Sequence, residues 1–134
     1  MTFTREMIAF RARHPCLMHT RFLTGEEREG HRFPDISWHG ELLHRPPWDD
    51  PGSRLLVFTL GALEPWEADL HVIMNMQDRD VHLPLPELPG LKWYRAIDTA
   101  RDAEANILRQ ERQEPHDATA CRVVPHSVVV FEGR

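Results

Sequence analysis

Apolar positions at the start of the chain repeat at helical spacing. Phe3, Met7, Phe10 and His14 follow one another at steps of four, three and four, which stacks them on one face of a helix over 2–14. Ile8 and Ala12 form a second apolar line on roughly the opposite side. A helix with apolar residues on two sides wants neighbours on two sides. Thr2 or Thr4 suits the N-cap and Glu6 the first turn. Pro15 ends the helix, because the residue before a proline avoids the helical region.

After a polar connector over 20–32, where Gly25 and Gly30 bracket a charged loop, the period changes to two. Over 33–39, Ile36 and Trp38 share one face and Ser37 and His39 the other. Three prolines around Trp48 mark 44–52 as an ordered loop. Residues 54–60 and 70–76 are short, nearly continuous apolar runs that predict buried strands. Val81, Leu83 and Leu85 alternate with His82, Pro84 and Pro86, which predicts an edge strand. Trp93, Arg95 and Ile97 alternate with Tyr94, Ala96 and Asp98. Residues 100–117 read as a helical turn or a mobile loop, and 121–132 as the last strand or pair of strands. One helix followed by many short strands predicts a mainly β fold, an antiparallel sandwich or barrel.

Composition narrows the function classes. The 134 residues carry 16 basic and 21 acidic side chains, for a net charge of −5, with the arginines spread singly among acids. A phosphate-tracking protein carries a basic stripe, so neither nucleic acid nor an anionic membrane is an expected partner. The first ten residues include charge and no long apolar core, so they do not read as a signal peptide. Cys16 and Cys121 lie far apart in sequence and are expected as reduced thiols of a cytoplasmic protein.

Several segments resemble the bacterial glycogen-debranching enzymes and isoamylases of the α-amylase superfamily of glycoside hydrolases. Residues 3–15, from Phe3-Thr4-Arg5-Glu6-Met7 to His14-Pro15, resemble the last helix of that family's catalytic barrel. Arg21-Phe22-Leu23 and Gly25 follow. Asp35-Ile36-Ser37-Trp38-His39-Gly40 resembles the first strand of its C-terminal domain, and Pro47-Trp48-Asp49 with 53–58 is a further match. Asp69-Leu70-His71-Val72-Ile73-Met74-Asn75 resembles a central strand, and 125–130 the last. The sequence departs from the family at 101–118 and at Met76-Gln77-Asp78, where an aromatic is usual.

The resemblance implies a Greek-key sandwich of the α-amylase C-terminal type over 21–134, preceded over 1–20 by the barrel's last helix and its exit. It implies a parent enzyme that hydrolyses α-1,6 branch links in glycogen, with its catalytic carboxylates on barrel strands upstream. None of those motifs occurs here, so no catalytic residue, cofactor or metal ligand is assigned. The expected partner is a catalytic (β/α)8 barrel, in cis or as a separate chain. The expected contact residues are Phe3, Met7, Ile8 and Phe10, with self-association through the same helix as the other outcome.

Other candidate chemistry is weaker. Asp49-Asp50 sits in a Pro/Gly loop and suits a turn. Nine histidines show no zinc-site spacing. Ser127 lacks the glycines of a nucleophile elbow. Sugars stack on exposed aromatic faces, so the loop residues Trp48 and Trp66 are the candidates for a free-standing α-glucan-binding module. The competing role for all four tryptophans is to anchor the sandwich or its barrel interface.

Overall fold

The two apolar runs become the spine of a sheet in the computed structural model, which describes residues 2–18 and 22–134. β2 (Leu55–Leu60) and β3 (Asp69–Asn75) pair antiparallel along their whole length. β1 (Ile36–His39) adds to β2, and β8 (Ser127–Gly133) adds to β3. β5 (Trp93–Asp98) and the two-residue β6 (Pro115–His116) complete a six-stranded sheet in the order β1-β2-β3-β8-β5-β6. β4 (Val81–Pro84) and β7 (Ala120–Val123) form a second, two-stranded sheet. All pairings between these strands are antiparallel. The result is a β-sandwich with one N-terminal helix, α1 (Thr2–Ala12).

Strand alternation gives the large sheet two unlike faces. The inner face carries Leu55, Val57, Ile73, Trp93, Val129 and Phe131 and meets Val81, Leu83, Cys121 and Val123 of the small sheet. Phe131 and Ile73 are wholly buried there. The outer face carries Ile36, Leu60, Leu70, Val72 and Val130 and packs with Phe10 of α1. Gly61, where the chain leaves β2, sits so tightly that a Cβ would lie 2.3 Å from the Pro34 carbonyl oxygen.

Three local expectations change. Ile97 does not share a face with Trp93 and Arg95. The β5–β8 register slips between Arg95, opposite Phe131, and Ile97, opposite Val130. A bulge at Ala96 thus turns Ile97 onto the outer face, where it joins the helix-side cluster. Of the two readings of 100–117, the helical turn holds over Gln110–Arg112, a 3-10 turn, and the rest is fixed too: Ile107 bridges to Ile97, and β6 follows. The helical core of α1 stops at Ala12 and leads through a 3-10 turn, Pro15–Leu17. Thr4 lies inside the helix and so does not cap it. Thr2's side chain, His19, and the Thr20-Arg21 start of the connector lie outside the described residues.

Candidate interaction face

The outer face is built in three rows that run across the strands. The first holds Ile36, Leu60, Leu70, Glu132 and Tyr94; the second Trp38, Phe58, Val72, Val130 and Ile97; the third Leu56, Met74 and Val128. α1 covers only part of this surface. Phe10 is 3% exposed within the cluster of the first two rows, and Met7 packs beside it. Leu56, Phe58, Met74 and Val128 stay half-buried, and Trp38, Trp48 and Met76 are exposed. Trp48 reaches from its proline loop to touch Trp38 edge-on at 5.3 Å between ring centroids, and Trp38 packs on Phe58 at 5.5 Å. An apolar cleft of about 500 Å³ runs beside Trp48, floored by Leu56, Met74 and Met76.

A buried ionic cluster fastens the covered half. Glu132 would face solvent on a bare sheet, but here it is wholly buried beneath the end of α1. His14 Nε2 lies 2.7 Å from its Oε1, and Arg13 Nη2 lies 3.2 Å from Oε2. Gln110 Nε2 and Gln113 Nε2 donate to the two oxygens at 2.9 and 2.6 Å. Burial opposes ionisation of Glu132, yet the donors from His14, Arg13 and Gln113 outweigh it and hold the carboxyl down at about 2. Glu6 serves no helix start; it accepts a forked pair of hydrogen bonds from Arg109, which ties α1 to the 3-10 segment. Glu67 does the same at the helix exit: it accepts the backbone N–H groups of Cys16, Leu63 and Glu64.

The inner face holds a second polar chain. The backbone N–H of His44 donates to His39 Nδ1, so the ring proton of neutral His39 lies on Nε2 and is donated to Thr59 Oγ1 at 3.0 Å. The Thr59 hydroxyl then donates to His71 Nδ1 at 2.9 Å. Burial, with the neighbouring histidine second, lowers His39 to about 4 and His71 to about 3. Both rings are neutral at pH 7, which is what this donor order requires.

The expected contact residues separate. Ile8 is 67% exposed and Phe3 is 38% exposed, so both are free to meet another surface. Phe10 is committed to the chain's own core and Met7 partly so. Trp48 lies in the loop entering β2 and Trp66 in the loop leaving it, so the fold does not bring them onto one platform. Asp50 caps its own turn, accepting the Gly52 N–H at 2.9 Å. Ser127 donates to the Val124 carbonyl. Among the described residues, no three His, Cys, Asp or Glu side chains are placed to hold a metal ion.

Sequence reasoning missed Glu132, Gln110 and Gln113. Glu132 had a signal: its alternation places a carboxylate on the same face as Val128 and Val130, which calls for a buried partner, and His14 lies on the helix face that carries Phe10.

A family model described as isoamylase 1-3, C-terminal, matches residues 37–129. The chain belongs to that family. This isoamylase C-terminal domain is also similar to isoamylase 2, chloroplastic, of Oryza sativa subsp. japonica, at 27% identity over 99% of the chain and 18% of the relative. Isoamylase 1, chloroplastic, of the same plant is 26% identical over 68% of the chain and 11% of its own length. Isoamylase 2, chloroplastic, of Arabidopsis thaliana is 31% identical over 49% of the chain and 9% of its own length. The isoamylase C-terminal domain therefore spans less than a fifth of these curated relatives.

Proposed function

We propose that this chain is the non-catalytic C-terminal sandwich of a debranching enzyme that hydrolyses α-1,6 links in glycogen, and that it braces the catalytic barrel through the bare half of its outer face. The observation that carries the reading is that half-covered face. Leu56, Phe58 and Met74 continue the surface that α1 covers, and Trp38, Trp48 and Met76 stand exposed beside them. Contiguous apolar patches on the order of a few hundred Å² mark interaction surfaces. Covering one contributes about 25 cal/mol per Å² removed from water. In this reading residues 1–20 are the last barrel helix and its exit, 21–134 are the domain proper, and Ile8 and Phe3 point to the barrel side. The buried, free thiols Cys16 and Cys121 suit a reducing, cytoplasmic setting.

The test mixes this chain with a separately produced barrel chain from the same enzyme. Sedimentation should show a one-to-one complex, and branch cleavage by the barrel should survive heating longer in the complex. Trp48→Ala with Met76→Ser should weaken the complex at least about tenfold, in keeping with loss of central apolar anchors. No complex, or one indifferent to both substitutions, defeats the reading.

The alternative, a free-standing glucan-binding module, draws support from the exposure of Trp48 and Trp66, at 62% and 68%. The two tryptophans flank a six-residue strand, which spans roughly 20 Å, so each would act alone. Tryptophan fluorescence during a glycogen titration separates the two readings: the bracing role expects no saturable change at millimolar glucose equivalents. A homo-oligomer through α1 would appear in the same sedimentation runs as a species of twice the chain mass.

A further inference from the structure

The opposite edge of the large sheet, away from Trp38 and Trp48, carries a different kind of surface. A cleft of about 310 Å³ is walled by β5, the 3-10 segment and β6. Three guanidiniums line it, those of Arg95, Arg101 and Arg112, against two carboxylates, Asp98 and Glu114. The cleft is therefore locally positive in a chain whose net charge is −5.

The arrangement is more than a set of surface ion pairs. Asp98 is 7% exposed and fully engaged: its Oδ2 accepts Arg95 Nη1 at 2.6 Å and Arg101 Nε at 3.3 Å, and its Oδ1 accepts the Ala100 N–H. One carboxylate oxygen thus pins two like-charged guanidiniums at the same point. Arg95 is further fixed by stacking over Phe131, 5.5 Å from the ring centroid. Among the described residues, only Nε of Arg101 is engaged, and its terminal nitrogens make no hydrogen bond. Arg112 has no ion-pair partner among the described residues.

We propose that this cleft binds the phosphate group of a small phosphorylated metabolite, with Arg101 and Arg112 as its principal ligands and Asp98 and Arg95 as the frame that positions Arg101. A planar carboxylate is matched by a single guanidinium fork. Guanidiniums supplied by separate segments to one cleft suit a tetrahedral phosphate, which offers three terminal oxygens. The cleft volume sits at the lower end of the range of small-molecule sites, about 300–1,000 Å³. That admits a ligand of phosphorylated-monosaccharide size, not a polymer.

The test follows Arg Nε–Hε signals by NMR in the full chain, at constant ionic strength, with three probes: inorganic phosphate, glucose 6-phosphate and acetate. Both phosphates should give saturable shifts confined to Arg101 and Arg112, and acetate should not. Tighter binding of glucose 6-phosphate than of inorganic phosphate would mark an ester site, and equal binding a site for the phosphate group alone; both support the proposal. Arg101→Gln and Arg112→Gln should each weaken binding about tenfold. Arg79→Gln, which removes the ion pair with Glu41 just past β1, the opposite edge strand of the sheet, should not. Arg112 is exposed and has no ion pair among the described residues, so Arg112→Gln should keep the wild-type melting temperature; Arg101→Gln leaves Asp98 its bonds from Arg95 and the Ala100 N–H and should lower it by no more than a few degrees. No saturation by about 10 mM of either phosphate overturns the proposal. So do equal shifts with acetate, or binding unchanged in both cleft variants.

Discussion

The two faces of the large sheet solve the same problem to different degrees. On the inner face, each apolar row meets the small sheet, and the polar groups there hydrogen-bond among themselves from His44 through Thr59 to His71. On the outer face, α1 closes one side with Phe10 and the Glu132 cluster, while Trp38, Trp48 and Met76 remain in water. The first interface is complete within the chain. The second is half an interface, and its bare half is as apolar as its covered half. A sandwich that needed to stand alone would place polar residues in the third row; Leu56, Met74 and Val128 stand there instead.

Four substitutions or conditions should separate the two faces. Phe131→Ala opens a cavity in the closed inner core and should lower unfolding free energy by about 4 kcal/mol, read as a shifted urea midpoint. Glu132→Ala strips the buried partner from His14 and Arg13 and should remove about 3 kcal/mol. Hydrogen exchange should then show α1 losing protection before the sheet does. Acid should attack the inner face first. The unfolded state protonates His39 and His71 near their ordinary value of 6.5, while the folded state holds them neutral down to about 4 and about 3. Stability is therefore full above that ordinary value and should fall on the order of 2 kcal/mol for each ring between pH 7 and pH 5. Glu132 adds its own loss only between about 4.5 and about 2. Trp48→Ala should change the stability of this chain by less than about 0.5 kcal/mol in thermal melts. A larger loss there would mean that the bare half belongs to the chain's own core.

Much of this was legible in the residues. The period-two alternation of Ile36-Ser37-Trp38-His39 put the right side chains on the right faces, and the 3-4 spacing of Met7, Phe10 and His14 named the helix face that packs. The bulge at Ala96 was not legible, because nothing in Trp93-Tyr94-Arg95-Ala96-Ile97 breaks the alternation; the slip is imposed by pairing with β8. Residues 100–117 hid their order for a related reason. Their fixed points are single long-range contacts, such as Ile107 on Ile97 and Gln113 on Glu132, which leave no periodic trace. The arginine cleft was equally invisible, since Arg95, Arg101 and Arg112 come to line one cleft only through the turns of the chain between them.

The Glu132 cluster also sets a schedule for synthesis. Arg13 and Glu132 are 119 residues apart, and chains grow at about 5–20 residues per second, so on a ribosome the helix waits roughly 6–24 s for its anchor. Until that strand emerges, Phe10 and Met7 meet at most the unfinished β1-β2-β3 part of the sheet, without the Glu132 anchor. Whatever shelters them in the interval, upstream protein or a chaperone, must let go when the last strand arrives.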